Sequence, residues 1–285
     1  MSTPGELRPA RLSVHTRKRL VHGGLITIAL LYVGTLVLAP LVGITWAAIR
    51  AGWHTWSATL ADPTAKHAYV LTGIITLVTV VVTAVLGVVA ALVLSRDRFP
   101  GRGLLSAVAD LPIAISPVIV GLMAVLLFGT GGSFEPWFSA RGIRILFAVP
   151  SIAIVTLFIC IPFVIREVTP ILQELGTEEE QAAKTLGATS FQTFFRVTLP
   201  NIRWALLYGI ALSTARAIGE VGAVVVVSGL IAGQTETATL FILRAFDQFH
   251  DETGYVVALT LAMISIVLLA GIEIFKHREE KELST

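Results

Sequence analysis

Arg216 and Glu220 stand four residues apart in an otherwise apolar stretch, so on a helix they share a face and can form an ion pair. An unpaired charge at mid-bilayer costs at least about 2.5–3.5 kcal/mol. Such a pair therefore either neutralises itself to fix helix packing or stands at a solvated path. Ser213, Thr214, Gly219 and Gly222 beside it are small enough for close helix approach or for lining a pore. Asp110 caps, snorkels or pairs with a neighbouring segment. Ser116, before Pro117, offers its hydroxyl either to a substrate or to a carbonyl freed by a kink.

Other chemistry is excluded. Cys160 is the one cysteine, in an apolar run, which rules out an intrachain disulfide or a thiolate metal cluster. The chain has no Gly-Lys dipeptide and hence no Walker A loop, and neither His-Glu-x-x-His nor Gly-x-Ser-x-Gly occurs. Gly129-Thr-Gly-Gly132 reads as a loop rather than a phosphate cradle. If ATP drives this protein, ATP and Mg are bound by another chain.

The elements that must position these residues are set by composition. Of 285 residues, 55% are hydrophobic and 14% charged. Mean hydropathy is +0.82. A soluble domain carries roughly 25% charged residues, so a soluble enzyme, a disordered regulator and a secreted disulfide scaffold are excluded. Net charge is only +2, too small a bias to suggest nucleic acid. Apolar runs long enough to cross a bilayer as helices cover 25–49, 68–94, 104–128, 147–165, 204–229 and 255–275. Six spans of an all-α membrane protein are expected. The first is too long for a signal-peptide core and is read as a retained helix. Pro112 and Pro117 predict a kink in the third.

Orientation follows from Lys and Arg. One side collects Arg8, Arg11, Arg17, Lys18, Arg19, Arg96, Arg98, Arg102, Arg166, Lys184, Arg196, Arg203, Lys276, Arg278 and Lys281. The other holds Arg50, Lys66, Arg141, Arg144 and Arg244. Both termini are thus expected in the cytoplasm, with 1–24 and 276–285 as tails.

The cytoplasmic segment 166–203 is patterned as two short helices. Thr177 with Glu180, and Thr189 with Gln192, have capping-box spacing, and Gly187 is a natural C′ residue between them. Glu178, Glu179 and Glu180 favour a helix N-terminus. Phe191, Phe194 and Phe195 fall on one face, and Leu199-Pro200 is expected to end the unit. Such a hairpin either lies on lipid headgroups or docks a soluble partner. On the opposite side, 240–249 reads as a short amphipathic helix lying on the membrane surface.

Gln181-Ala182-Ala183, Gly187, Val197 and Leu199-Pro200 resemble the EAA motif of ABC importer permeases, E-A-A-x3-G-x9-I-x-L-P, at every spacing. Gln181 stands where that pattern has Glu, beside Glu180, and Val197 stands for Ile. Asp110-Leu-Pro112, Ser116-Pro117-Val118, Gly176-Thr-Glu-Glu-Glu180 and Ala215-Arg216-Ala-Ile-Gly219-Glu220 look like the sulfate/thiosulfate permeases. Phe147-Ala-Val-Pro150 and Trp204-Ala-Leu-Leu-Tyr208-Gly209 resemble the CysW-type subunit more than the CysT-type.

The resemblance implies a type-I importer transmembrane domain over 67–275, preceded by a separate first helix at 25–49. Glu180, Gln181, Ala182, Ala183, Gly187, Ala188, Leu199 and Pro200 would then couple it to an ATPase. Arg216, Glu220, Ser213, Thr214, Ser116 and Asp110 would line or gate a path. The implied partners are a CysT-type permease, two copies of a CysA-type ATPase, an extracytoplasmic sulfate-binding protein and membrane lipid. The implied place is a prokaryotic plasma membrane. Molybdate or tungstate is the rival substrate; an intramembrane enzyme and a gradient-driven transporter are the rival classes.

Overall fold

A computed structural model describes residues 14–97 and 99–283. Arg8, Arg11 and Arg98 lie outside the described residues, and so do the side chains of Arg17, Lys18, Arg19, Lys276, Arg278 and Lys281. Among the described residues every regular element is helical. The chain divides after Arg50. The first unit holds α1 (Val14–Arg50), which contains Pro40 without a break. Thr45 Oγ1 donates to Leu41 O at 2.7 Å, and the Arg50 guanidinium lies over the Trp46 ring at 4.7 Å.

The second unit runs α2 (Gly52–Ala61), α3 (Pro63–Arg96), α4 (Arg102–Ala114), α5 (Pro117–Phe128), α6 (Glu135–Ser139), α7 (Val149–Leu175), α8 (Glu178–Thr185) and α9 (Ser190–Thr193). A π-helical segment, Phe194–Thr198, leads into α10 (Leu199–Ile218), followed by α11 (Gly222–Val227), α12 (Ala238–Asp247) and α13 (Asp251–Leu283).

Among the described residues, four helices are long and apolar enough to cross a membrane: Leu25–Arg50, Pro63–Arg96, Val149–Leu175 and Asp251–Ile272. Counting α4 with α5 as one bent span makes five, not the expected six. That pair is bent by 112° where the proline spacing predicts a kink. Proline disfavours helical backbone in the residue before it, and both Ile115 (ψ 142°) and Ser116 (ψ 136°) are extended.

The expected fifth span, 204–229, is also not one helix. It breaks between Ile218 and Gly222, and α10 carries Asn201, Arg203 and Arg216. At the break Glu220 Oε1 accepts the Ala223 N–H at 2.9 Å, so a buried side chain starts α11. The expected fourth span is longer than its apolar run. Helix α7 continues ten residues past Ile165, turning the start of the expected loop into helix. Arg166 ends the apolar pattern without ending the helix, because its guanidinium reaches Asp110 on α4.

Helices α3, α7 and α10 form the centre of the second unit. A Cβ on Gly87 of α3 would lie 2.6 Å from Val164 Cβ, and one on Gly209 of α10 only 2.9 Å from Val164 Cα. Two glycines thus let three backbones close on one valine. Val88, Ala91, Val168, Leu172 and Ile202 complete this core. On α3 the outward face stays apolar: Val70, Leu77, Val81, Val85 and Val89 are each more than half exposed. A face of that extent marks contact with lipid or protein.

Candidate functional site

The hairpin is built as its sequence predicts at Gly187 and at Thr189, and in part at the start of α8. Helix α8 starts with three glutamates against the macrodipole. It stops at Gly187, whose φ of +87° is a glycine conformation. The Gly187 N–H donates to Lys184 O and the Ala188 N–H to Ala183 O, both at 3.0 Å, the two bonds of a Schellman cap. At Thr189 the expected capping box forms: Oγ1 accepts the Gln192 N–H at 3.3 Å, and the Thr189 N–H donates to Gln192 Oε1 at 2.9 Å.

The other expected capping box, Thr177 with Glu180, does not form. Gln181 Nε2 donates to Thr177 Oγ1 at 2.9 Å. Glu180 turns inward instead, where its Oε1 meets Arg96 Nη2 at 2.9 Å and accepts Thr198 Oγ1–H at 3.0 Å. Glu179 accepts from Asn201 Nδ2. A guanidinium on α3 outcompetes a local backbone N–H, because it brings a full opposite charge to the carboxylate where the amide brings only a dipole.

Leu199-Pro200 does not end the unit. The chain passes through the π segment straight into α10. In a continuous α-helix the Pro200 ring would clash with the carbonyl four residues back, and the wider π turn precedes it. Phe191 and Phe195 pack ring to ring with centroids 4.4 Å apart, tilted by 46°, and stay exposed, while Phe194 packs into the α3–α7–α10 core. Gln181 and Ala182 are exposed, Ala183 and Ala188 half-buried, and Leu186 is 88% exposed. The hairpin thus presents an apolar, neutral tip on a capped frame.

The Arg216–Glu220 pair forms as expected: Arg216 Nη2 lies 2.7 Å from Glu220 Oε2. Glu220 is buried to 1% side-chain exposure, Arg216 only to 31%. The break it occupies is tied to α12, where Thr239 Oγ1 donates to Glu220 O at 3.0 Å, and the neighbouring Ala238 N–H ties α12 in turn to α3 through Thr72 Oγ1 at 2.8 Å. Of the remaining path candidates, Ser213 and Thr214 share α10 with Arg216, and the other two lie on or beside α4. Ser213 is buried, with its Oγ donating to Cys160 O at 3.3 Å, so it stitches α10 to α7. Thr214 Oγ1 donates to Ile210 O within its own helix. Asp110 accepts Arg166 Nε at 2.7 Å, half-exposed on both sides, and Ser116 is exposed at the α4–α5 bend.

Sequence reasoning missed Arg96, Thr198 and Arg166 as partners, since no local spacing joins residues 18 to 84 positions apart. It also passed over Glu236, which is fully buried between α11 and α12 and accepts Arg244 Nη2 at 2.9 Å. Burial pushes its carboxyl above the ordinary value, against the pull of Arg244. Helix α12 itself, expected at 240–249, is present two residues earlier.

A family model described as binding-protein-dependent transport system inner membrane component matches residues 83–274. The sulfate transport system permease protein CysW of Synechocystis sp. is 45% identical over 254 residues, covering 89% of this chain and 92% of that protein. CysW of Escherichia coli K12 is 41% identical, covering 86% of this chain and 84% of its own length. The CysT permease of the same strain is 36% identical, covering 88% and 90%. Among solved structures, a bacterial alginate ABC transporter in complex with a pentasaccharide-bound periplasmic protein superimposes with a TM-score of 0.78. It covers 94% of this chain and 98% of that one at 15% identity, a likeness of fold alone.

Proposed function

Because this chain belongs to the family of binding-protein-dependent transport system inner membrane components, we propose that it is the CysW-type permease subunit of an ATP-driven importer that moves sulfate, and thiosulfate, into the cytoplasm by alternating access. The observation that carries this reading is the similarity to sulfate permeases at 41–45% identity across most of both chains. Molybdate, the other tetrahedral dianion in contention, finds no support in those relatives. The chain is a membrane subunit and not itself the ATPase. It crosses the membrane six times, with the broken α10–α11 and bent α4–α5 each counted as one crossing, and both termini face the cytoplasm, as the Lys and Arg distribution requires.

The hairpin α8–α9 docks into a separate ATPase, present in two copies, which binds ATP and Mg. Its apolar tip at Leu186 and Phe191 is the shape a cleft receives. A CysT-type permease completes the pore, and an external protein delivers the anion near α12. The Arg216–Glu220 pair is the resting gate: while Glu220 neutralises Arg216, the path offers a dianion no net positive charge. Neutralising both residues with transport and ATP coupling unchanged would sink the gate. Co-expression tests the whole reading. The chain should copurify with its ATPase, and hydrolysis should rise when sulfate-loaded binding protein is added; no recruitment of any ATPase overturns it.

A further inference from the structure

The carboxylate of Glu180 belongs to the helix that docks, yet it faces away from the docking tip. Its Oε1 alone accepts two donors, Arg96 Nη2 at 2.9 Å and Thr198 Oγ1 at 3.0 Å. The same guanidinium donates from Nη1 to Leu172 O at 2.9 Å. One carboxylate and one guanidinium therefore join α8 to the last residue of α3, the last turn of α7 and the π segment that opens α10. These are the three helices that close on Val164 through Gly87 and Gly209. Both charged side chains are 17% exposed, so water screens them little.

The backbone offers no comparably stiff route. Helix α8 is entered through Gly176 at φ +63° and left through Gly187 at φ +87°, residues without the steric limits that stiffen a chain. A push on α8 is absorbed at those glycines unless side chains carry it. Gln181, where the family pattern has a carboxylate, is bonded only to its own helix start.

We propose that the Arg96–Glu180–Thr198 cluster is the strut that converts movement of the docking helix into movement of α3, α7 and α10, which makes Arg96 and Glu180 positioning residues for transport. This rests on the importer reading above. The strut acts by keeping α8 and the bundle one rigid body, so its loss should uncouple hydrolysis from transport rather than prevent docking.

The test uses the complete complex, this chain with its second permease, ATPase and sulfate-binding protein, in proteoliposomes. The readout is ATP hydrolysed per sulfate imported, beside the amount of ATPase copurified. Glu180→Gln should retain the ATPase and its hydrolysis while the ratio rises about tenfold, within the usual range of coupling energies. Thr198→Val, which removes one hydrogen bond and keeps the shape, should raise it about two- to threefold. The exchange Arg96→Glu with Glu180→Arg restores the ion pair but not the bond to Leu172 O, so it should recover the coupling only in part. An unchanged ratio, with uptake falling only as folded complex is lost, overturns the strut, and so does loss of the copurified ATPase in Glu180→Gln. Failure of the unmodified chain to recruit an ATPase fails the importer reading itself, a separate outcome.

Discussion

Removing Arg216 while leaving Glu220 should be the most damaging single change in the membrane. Glu220 has 1% side-chain exposure, and with Arg216 gone its charge keeps only the Ala223 N–H at 2.9 Å. Breaking a buried pair from one side costs about 3–5 kcal/mol. Arg216 is 31% exposed, which admits water to that end of the pair, so about 2–3 kcal/mol is expected for Arg216→Met. Glu220→Gln strands a guanidinium that can reach water and keeps an acceptor for Ala223, so its cost is about 1 kcal/mol. Arg216→Met with Glu220→Gln leaves no charge and should be no worse than Glu220→Gln alone, a coupling of about 2 kcal/mol. Reversible unfolding in mixed micelles, run as a double-mutant cycle, measures it. Additive costs would refute the reasoning, because they would mean the two charges do not depend on each other.

Three other changes have defined outcomes. Gly209→Ala places a methyl 2.9 Å from a backbone atom, Val164 Cα, which no rotamer can relieve, so thermal unfolding should show a loss of about 1–3 kcal/mol. Glu236→Gln probes a carboxyl raised above 4.5 by burial. A raised carboxyl disfavours folding above its folded pKa and not below its unfolded one. The unmodified chain should therefore lose stability relative to the variant as pH rises from 4.5 through the raised value, and a pH-independent difference in melting temperature would contradict this. Leu186→Asp and Phe191→Asp place a charge on the apolar tip without touching a buried contact. They should abolish copurification of the ATPase while leaving the folding stability within about 0.5 kcal/mol of unmodified.

What the sequence disclosed depended on whether the deciding contact was local. Gly187, the Thr189–Gln192 box and the Arg216–Glu220 pair all rest on spacings of five residues or fewer, and each is where the pattern places it. Pro117 marked the α4–α5 bend for the same reason, although not its 112°. Thr177 with Glu180 had equally good local spacing and failed, because Arg96 is 84 positions away and offers a charge. The end of α7 was misplaced by treating the apolar run as the helix. The break before α11 was hidden because Glu220 reads as one half of an ion pair, while its second oxygen starts a new helix. Of the proposed path residues, Ser213 and Thr214 have hydroxyl acceptors, Cys160 O and Ile210 O, that spacing alone did not single out.

The most direct measurement is ATP-dependent uptake of radiolabelled sulfate by the co-expressed complex in proteoliposomes, with thiosulfate and molybdate as competitors. Uptake that requires both ATP and the binding protein, and that thiosulfate blocks while molybdate barely does, is the predicted result. Molybdate uptake without sulfate uptake would contradict the substrate, and sulfate flux through this chain without an ATPase would contradict the mechanism.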